Sequence, residues 1–440
     1  MATVKSRIEA REQQIETLKD EIERKHGKTA EQLYQEREKR VIDAMTLKVP
    51  DRVPLRTSAG VFAARYAGIP VSTMYYNHDA YREACLKMFL EYEPDLFQPT
   101  ALTSGPALEL LDARMQRWPG GTLPPDVAYQ FVEREYLKED EYDIFLDDPS
   151  DFMLRYYLPR VFGATSAVSK LSPLRNMTGS SFGAMTAYFA RPEFVELAQK
   201  LHKAGMEYER VRKESAAFEG KMADLGFLGS GTGGGIGLAP FDTISDHMRG
   251  MRGAMIDMFS RPDKLLAAVE KILEWRKKAS VPASPKGRGK LRTQSMPLHR
   301  GSDGFMSIPQ FEKFYWPTLK KAILHHIELG NICTVAWVGI WDERLEYLLE
   351  LPKGKVVGSL ERTDPFRFKE VLGGHQCFVA SVPPPMMQVG SVHEVEEYCK
   401  KLIKVCGKGG GFIMGTAGLD EAKPENLKAV VDMVKKYGRY

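Results

Sequence analysis

The chain lacks most of what would tie it to a secretory, membrane or nucleic-acid setting. Cysteine is scarce: Cys85, Cys333, Cys377, Cys399 and Cys406 are five among 440 residues, far apart, odd in number and without a Cys-x-x-Cys pair. That pattern excludes a disulfide framework and suits a reducing cytoplasm. Neither sign of charge prevails, since 62 Lys and Arg against 58 Asp and Glu leave a formal +4. So even a balance argues against nucleic acid and for a small-molecule or protein partner. Long apolar runs are also missing. The longest uncharged stretch, 371–393, is broken by Gly373-Gly374, by prolines at 383–385 and by His375 and His393, so it does not read as a membrane span. Charge begins at Lys5, which leaves no apolar core for a signal peptide. The expectation is a soluble, cytoplasmic protein.

With 43% apolar residues the chain can bury a large core. Its length allows two average domains or one large α/β barrel. Residues 1–47 read as a helical extension, because Val4, Ile8, Ile15, Leu18 and Ile22 recur at helical spacings among alternating charges until Gly27 interrupts them. This stretch fits either a coiled-coil docking arm or an amphipathic helix laid against the body of the protein. From Arg52 the pattern alternates strand, turn and helix, as parallel βαβ units do. Candidate strands are 53–57, 96–102, 221–227, 291–298, 332–338, 355–360, 377–382 and 412–414. Eight is the number a (β/α)₈ TIM barrel needs, which makes 48–440 a single barrel with a long insertion, 113–220, after its second strand. Such insertions usually build a lid over a site. The glycine-rich segment 229–237 has no Lys-Ser/Thr after it and no GxGxxG leading into a helix, so a substrate-facing loop fits better than a nucleotide site.

Both ends of the 48–440 region carry a further signal. Glycines 409–411 lead into the short apolar strand 412–414, then Thr416-Ala417-Gly418, then a helix opened by Pro424. Near the other end stand Arg52-Val53-Pro54 and Ala64-Arg65-Tyr66; Ala239-Pro240-Phe241 and the segment 307–317 follow in order. Together these motifs resemble the uroporphyrinogen decarboxylase superfamily, which also contains methyltransferases acting on coenzyme M. The resemblance implies a barrel, often a homodimer, with its site at the C-terminal ends of the strands.

The residues that do chemistry in that superfamily are absent here. Where the decarboxylases place an aspartate after the second strand, this chain has Thr100, and Val61 replaces the first of two substrate-binding arginines, leaving Arg65. Asp246 stands for a tyrosine and Ala417 for a histidine. A threonine cannot gather pyrrole N–H donors as an acceptor-only carboxylate does. The thiol methyltransferases hold zinc through a His-x-Cys-Gly motif and a last-loop cysteine; the equivalents are 336–339, Ala-Trp-Val-Gly, and Ala417. No metal site is therefore expected. The adjacent His325-His326 pair and His375-Gln376-Cys377 lack a third ligand.

The polar residues that remain follow the third, fourth and sixth candidate strands. We take His299 as the leading acid/base, with Asp303, His247 and Asp246 as further catalytic candidates. Arg65, Tyr66, Asp242, Arg300, Trp337 and Glu361 are candidates for holding substrate, and Trp337 stands where a zinc ligand would. Two reactions fit. One moves a methyl group between a small substrate, such as a methyl ether, and a corrinoid (cobalamin) carried by a partner protein, since Ser245-Asp246-His247 lacks the spacing of a cobalamin-binding Asp-x-His-x-x-Gly. The other decarboxylates an aromatic or heteroaromatic acid without a cofactor, with Arg65 and Arg300 on the carboxylate. A non-catalytic binding subunit is the third reading.

Overall fold

The computed structural model describes residues 4–98, 102–230, 237–282, 289–290 and 292–440, with side chains from residue 13 onward. Thr100, positions 231–236 of the glycine-rich loop, Leu291 and the side chains of Val4 and Ile8 lie outside the described residues.

The chain is a mixed α/β protein around a five-stranded parallel sheet. Strands β1 (Arg56–Ser58) and β2 (Leu96–Gln98) pair in parallel, and β3 (Gln116–Arg117) with β4 (Gln130–Phe131) make a small antiparallel ribbon. The main sheet follows chain order: β5 (Thr293–Leu298), β6 (Ile332–Trp337), β7 (Val356–Leu360), β8 (Cys377–Ser381) and β9 (Phe412–Gly415). Single bridges carry the pairing further, Leu55 to Met414 and Phe97 to Gly229, and Gly237 N–H donates to the Ser295 carbonyl at 2.9 Å. Among the described residues the continuous ladder therefore spans five strands, and the closed eight-stranded ladder expected from the sequence is not seen.

One expected strand is overturned outright. Residues 221–224 finish the 33-residue helix Pro192–Asp224. The helix ends in a Schellman motif: Phe227 N–H donates to the Met222 carbonyl and Gly226 N–H to that of Ala223, with Gly226 at φ 84°. Lys221, Met222 and Ala223 are good helix formers, and only after the left-handed glycine does the chain extend toward β2. Strand 1 also starts later than expected. Val53 instead donates to the Gly438 carbonyl and Pro54 accepts from Met414, so these residues join the two ends of the chain.

The N-terminal residues form two helices, Val4–His26 and Ala30–Met45, parted at Gly27 with φ 63° and restarted by a capping box between Thr29 and Gln32. The second helix packs Tyr34, Val41, Ala44 and Met45 against Leu96, Val357, Cys377, Val379 and Ile413, residues of β2, β7, β8 and β9. Burying Val41 and Met45 stabilises this contact by about 1.5–3 kcal/mol for each side chain. Beside it, Asp95 accepts from Arg40, from both terminal nitrogens of Arg52 and from Leu55 N–H. Asp95 and Arg52 precede β2 and β1, so this charge network belongs to the N-terminal ends of the strands, where a parallel α/β sheet keeps its stability contacts. Among the described residues no helix is long and apolar enough to cross a membrane.

Candidate active site

The C-terminal end of β5 is where chemistry gathers. The strand runs out at Leu298 into His299 and Arg300, and facing it is a turn that begins at Pro240 as a short helix and continues as a π-helix, Thr243–Met248. A π turn is rare and is frequently found at functional sites, although the described residues hold two more, Met153–Tyr157 and Phe311–Tyr315. Here it turns Asp242, Ser245 and Asp246 toward the strand end, all three buried.

Asp242, 0% exposed, accepts from His299 N–H at 2.9 Å, from Arg300 N–H at 3.1 Å and from the Tyr315 hydroxyl at 2.9 Å. It fixes the strand end by capping two backbone donors. Burial and the neighbouring Asp246 push its carboxyl up to about 7, against the pull of these donors. Asp246 takes the imidazole: His299 Nδ1 donates to Oδ2 at 2.5 Å, while Arg300 Nε and Nη2 reach Oδ1 at 2.9 and 2.8 Å. Ser245 Oγ accepts from Arg300 Nε as well, at 3.0 Å. Because a carboxylate only accepts, Nδ1 carries the proton and Nε2 is left as the working nitrogen. The ring is 41% exposed, and Nε2 has no hydrogen-bond partner among the described residues. The hydrogen bond from Asp246 raises the His299 pKa, with Asp242 adding to it and burial opposing. A carboxylate behind the ring and an open nitrogen in front are the arrangement by which an imidazole can hold and pass on a proton.

The insertion reaches this cluster. Glu133 Oε2 lies 3.4 Å from Arg300 Nη2 while its Oε1 accepts from Met251 N–H, and Phe131 in β4 sets its ring edge-on to His247, 5.8 Å between centroids. Burial lowers the His247 pKa, with Asp246 acting the other way and His299 adding to the lowering.

The other sequence candidates are spread out. Asp303 binds Arg344, which is 1% exposed, and accepts from Glu343 N–H, so it neutralises a buried guanidinium. Trp337 is fully buried against Trp341, with centroids 4.7 Å apart. Glu361 accepts from Gly339 N–H at 2.6 Å. Arg65 pairs with Glu421, and Tyr66 donates to Glu91 while stacking on Phe62. His375 donates to the Leu351 carbonyl, and Cys377 sits in β8 with burial pushing its thiol up. The structure therefore brings His299, Asp246, Asp242 and Arg300 together, keeps His247 within electrostatic reach of Asp246 and His299, and gives Asp303, Trp337, Glu361, Arg65 and Tyr66 other partners.

Sequence reasoning missed Tyr315, Ser245, Glu133 and Arg56. Ser245 could have been found from its place three residues after Asp242 and one before Asp246. Tyr315 lies in an aromatic helix, and no local signal sets it apart.

No known family profile matches the chain, and no curated protein matches it. Among solved structures, a methyltransferase from Methanosarcina mazei is similar over 91% of this chain and 98% of its own, with a TM-score of 0.56 and 14% identity. The likeness is one of fold. It spans nearly the whole of both chains.

Proposed function

We propose that this chain is a divergent member of the uroporphyrinogen decarboxylase superfamily, its strands arranged as an eight-membered barrel, and that it is a methyltransferase moving a methyl group between a small substrate and a corrinoid carried by a partner protein. The observation that carries the reading is the Asp246-backed His299, open at Nε2 beyond the end of β5; the fold shared with a methyltransferase supports it. Methyl loss from an ether breaks the C–O bond with its electron pair left on oxygen, and that oxygen needs a proton. His299 Nε2 donates it and becomes neutral, while Asp246 holds the imidazole in place and stabilises its charged form beforehand. Asp242 and Tyr315 keep the strand end where the ring requires it, and Arg300 balances the charge of Asp246. The corrinoid, when present, supplies the nucleophile that takes the methyl group. The positions of the superfamily's zinc ligands, 336–339 and Ala417, bear no metal-binding side chain, so no step is assigned to zinc.

The decarboxylase reading is less well supported, because Arg300 and Arg65 are both engaged by protein carboxylates and neither is free to grip a substrate's.

The test is turnover of methyl ethers and methylated amines by the purified chain with reduced cobalamin as acceptor. Wild type is expected to transfer the methyl group, and His299→Ala to lose about 10²- to 10⁴-fold. Full turnover by His299→Ala overturns the role of His299. Release of carbon dioxide from an aromatic acid without methyl transfer favours the decarboxylase.

A further inference from the structure

A second polar site stands at the ends of β1, β2, β7, β8 and β9. Here a cavity of ≈ 110 Å³ is lined by Gln98, Ser359, Ser381 and Thr416 around the side chain of Arg56. Arg56, the first residue of β1, differs from Arg300 and Arg65 in its partners. Arg300 has Asp246 and Arg65 has Glu421, but Arg56 donates only to neutral oxygens, Ser359 Oγ at 2.8 Å and Gln98 Oε1 at 2.5 Å. No carboxylate pairs with it among the described residues. The undescribed segments that follow β2 and Ser230, residues 99–101 and 231–236, contain no acidic residue.

A half-buried guanidinium without a counter-charge is expensive to keep. Desolvation lowers its pKa with nothing acting the other way. Ser359 and Gln98 orient the group without neutralising it. Around it the wall is made of hydroxyls: Thr57 and Thr416 hydrogen-bond each other across β1 and β9, and Ser381 Oγ accepts from Ala417 N–H at 3.0 Å. Gly415 keeps the floor clear, since a Cβ there would lie 2.6 Å from both Ser381 Oγ and Val379 Cγ1. The cavity meets the surface at Gln98 and Ala417, both exposed.

From this arrangement we infer that Arg56 is the anchor of an anion subsite, and that its ligand is the carboxylate of a small organic acid. A guanidinium fork matches a carboxylate edge to edge, and one positive charge balances one negative charge. A phosphate dianion calls for more positive charge than this cavity holds. The inference concerns binding alone and does not rest on methyl transfer.

The probe is acetate, measured as the rise in thermal unfolding midpoint in sodium acetate over sodium chloride at equal ionic strength, and by titration calorimetry. Wild type is expected to be stabilised by acetate. Arg56→Met is expected to weaken acetate binding by about tenfold or more, the value of a charge-assisted pair. Its midpoint in chloride should equal or exceed that of wild type, because an uncompensated charge has been removed; this separates loss of the site from loss of the fold. Arg56→Lys, which keeps the charge and loses the fork, should fall between the two. The inference is overturned if acetate and chloride act alike on wild type, or if acetate still stabilises Arg56→Met. Stronger stabilisation of wild type by inorganic phosphate than by acetate overturns the carboxylate assignment in favour of a phosphate ligand.

Discussion

At the scale of single residues, the pH behaviour of the site follows from which carboxylate touches the imidazole. Asp246 hydrogen-bonds His299 and raises its pKa, so the charged, proton-donating form persists to higher pH than in a free histidine. If His299 is the acid, activity is present below its raised pKa and is lost as pH climbs through it. Asp246→Asn keeps the shape and removes the charge. The alkaline limb of the pH–rate profile, or the ring titration followed by NMR, is then expected to move down toward the ordinary value of about 6.5. An unmoved limb would assign the titration to another group. Part of this was legible in the chain: His299, Asp242, Asp246 and Arg300 stand out as polar residues after apolar strands. What could not be read was their division of labour. Asp303, only four residues from His299, looks equivalent in sequence but is taken up by the buried Arg344, a partner 41 positions away.

At the scale of elements, the loop after β5 is held between two rigid rings. A Cβ at Gly301 would lie 2.4 Å from Trp341 Cη2 and 2.4 Å from Tyr315 Cε1, and neither ring can swing aside as a flexible side chain would. Gly301→Ala is therefore expected to cost about 1–3 kcal/mol, as overpacking does. It should also push Tyr315 off Asp242 and disturb the hydrogen bonds of Asp242 to His299 and Arg300 N–H. Urea unfolding measures the first effect, and the amide shifts of His299 and Arg300 the second. Unchanged stability would mean that the loop yields where the rings do not. The helix Pro192–Asp224 shows the same limit on local reading. Residues 221–227 read as a strand in the sequence, but 221–224 finish this helix, where helix formers and a left-handed Gly226 decide the outcome.

At the scale of the whole molecule, charge is sorted between the two ends of the sheet, with opposite consequences for pH. Toward the N-terminal ends, Glu93 accepts from Lys25, His26 and Lys435, which joins the first helix to the last, and its pKa is pulled down to about 2 by these donors against the desolvation that raises it. Asp95 is likewise lowered, by Arg52 and Arg40 against its own burial. A lowered carboxyl stabilises above its unfolded pKa and loses that contribution as pH falls through the folded value, so acid should loosen this end between about pH 4.5 and 2. The loss from Glu93 is on the order of 1–2 kcal/mol, discounted because Lys25 and Lys435 are largely solvated. Urea midpoints across that range check it, and Glu93→Gln should flatten the slope. At the C-terminal end of β5, Asp242 and His299 are raised, so their contributions are present in acid and fade as pH rises through their folded values, near 7 for Asp242. The sequence by itself determined the α/β class, the helices at both termini, most strand positions and the polar residues beyond the strand ends, because periodicity, glycine and proline act over a few neighbours. Only the tertiary structure decided which of those residues meet. The hydrogen bond of Tyr315 to Asp242 spans 73 positions and that of Arg56 to Ser359 spans 303. No local propensity reaches so far; the first pair exists because two helical segments distant in sequence pack beside the end of β5, and the second because β1 and β7 face one cavity.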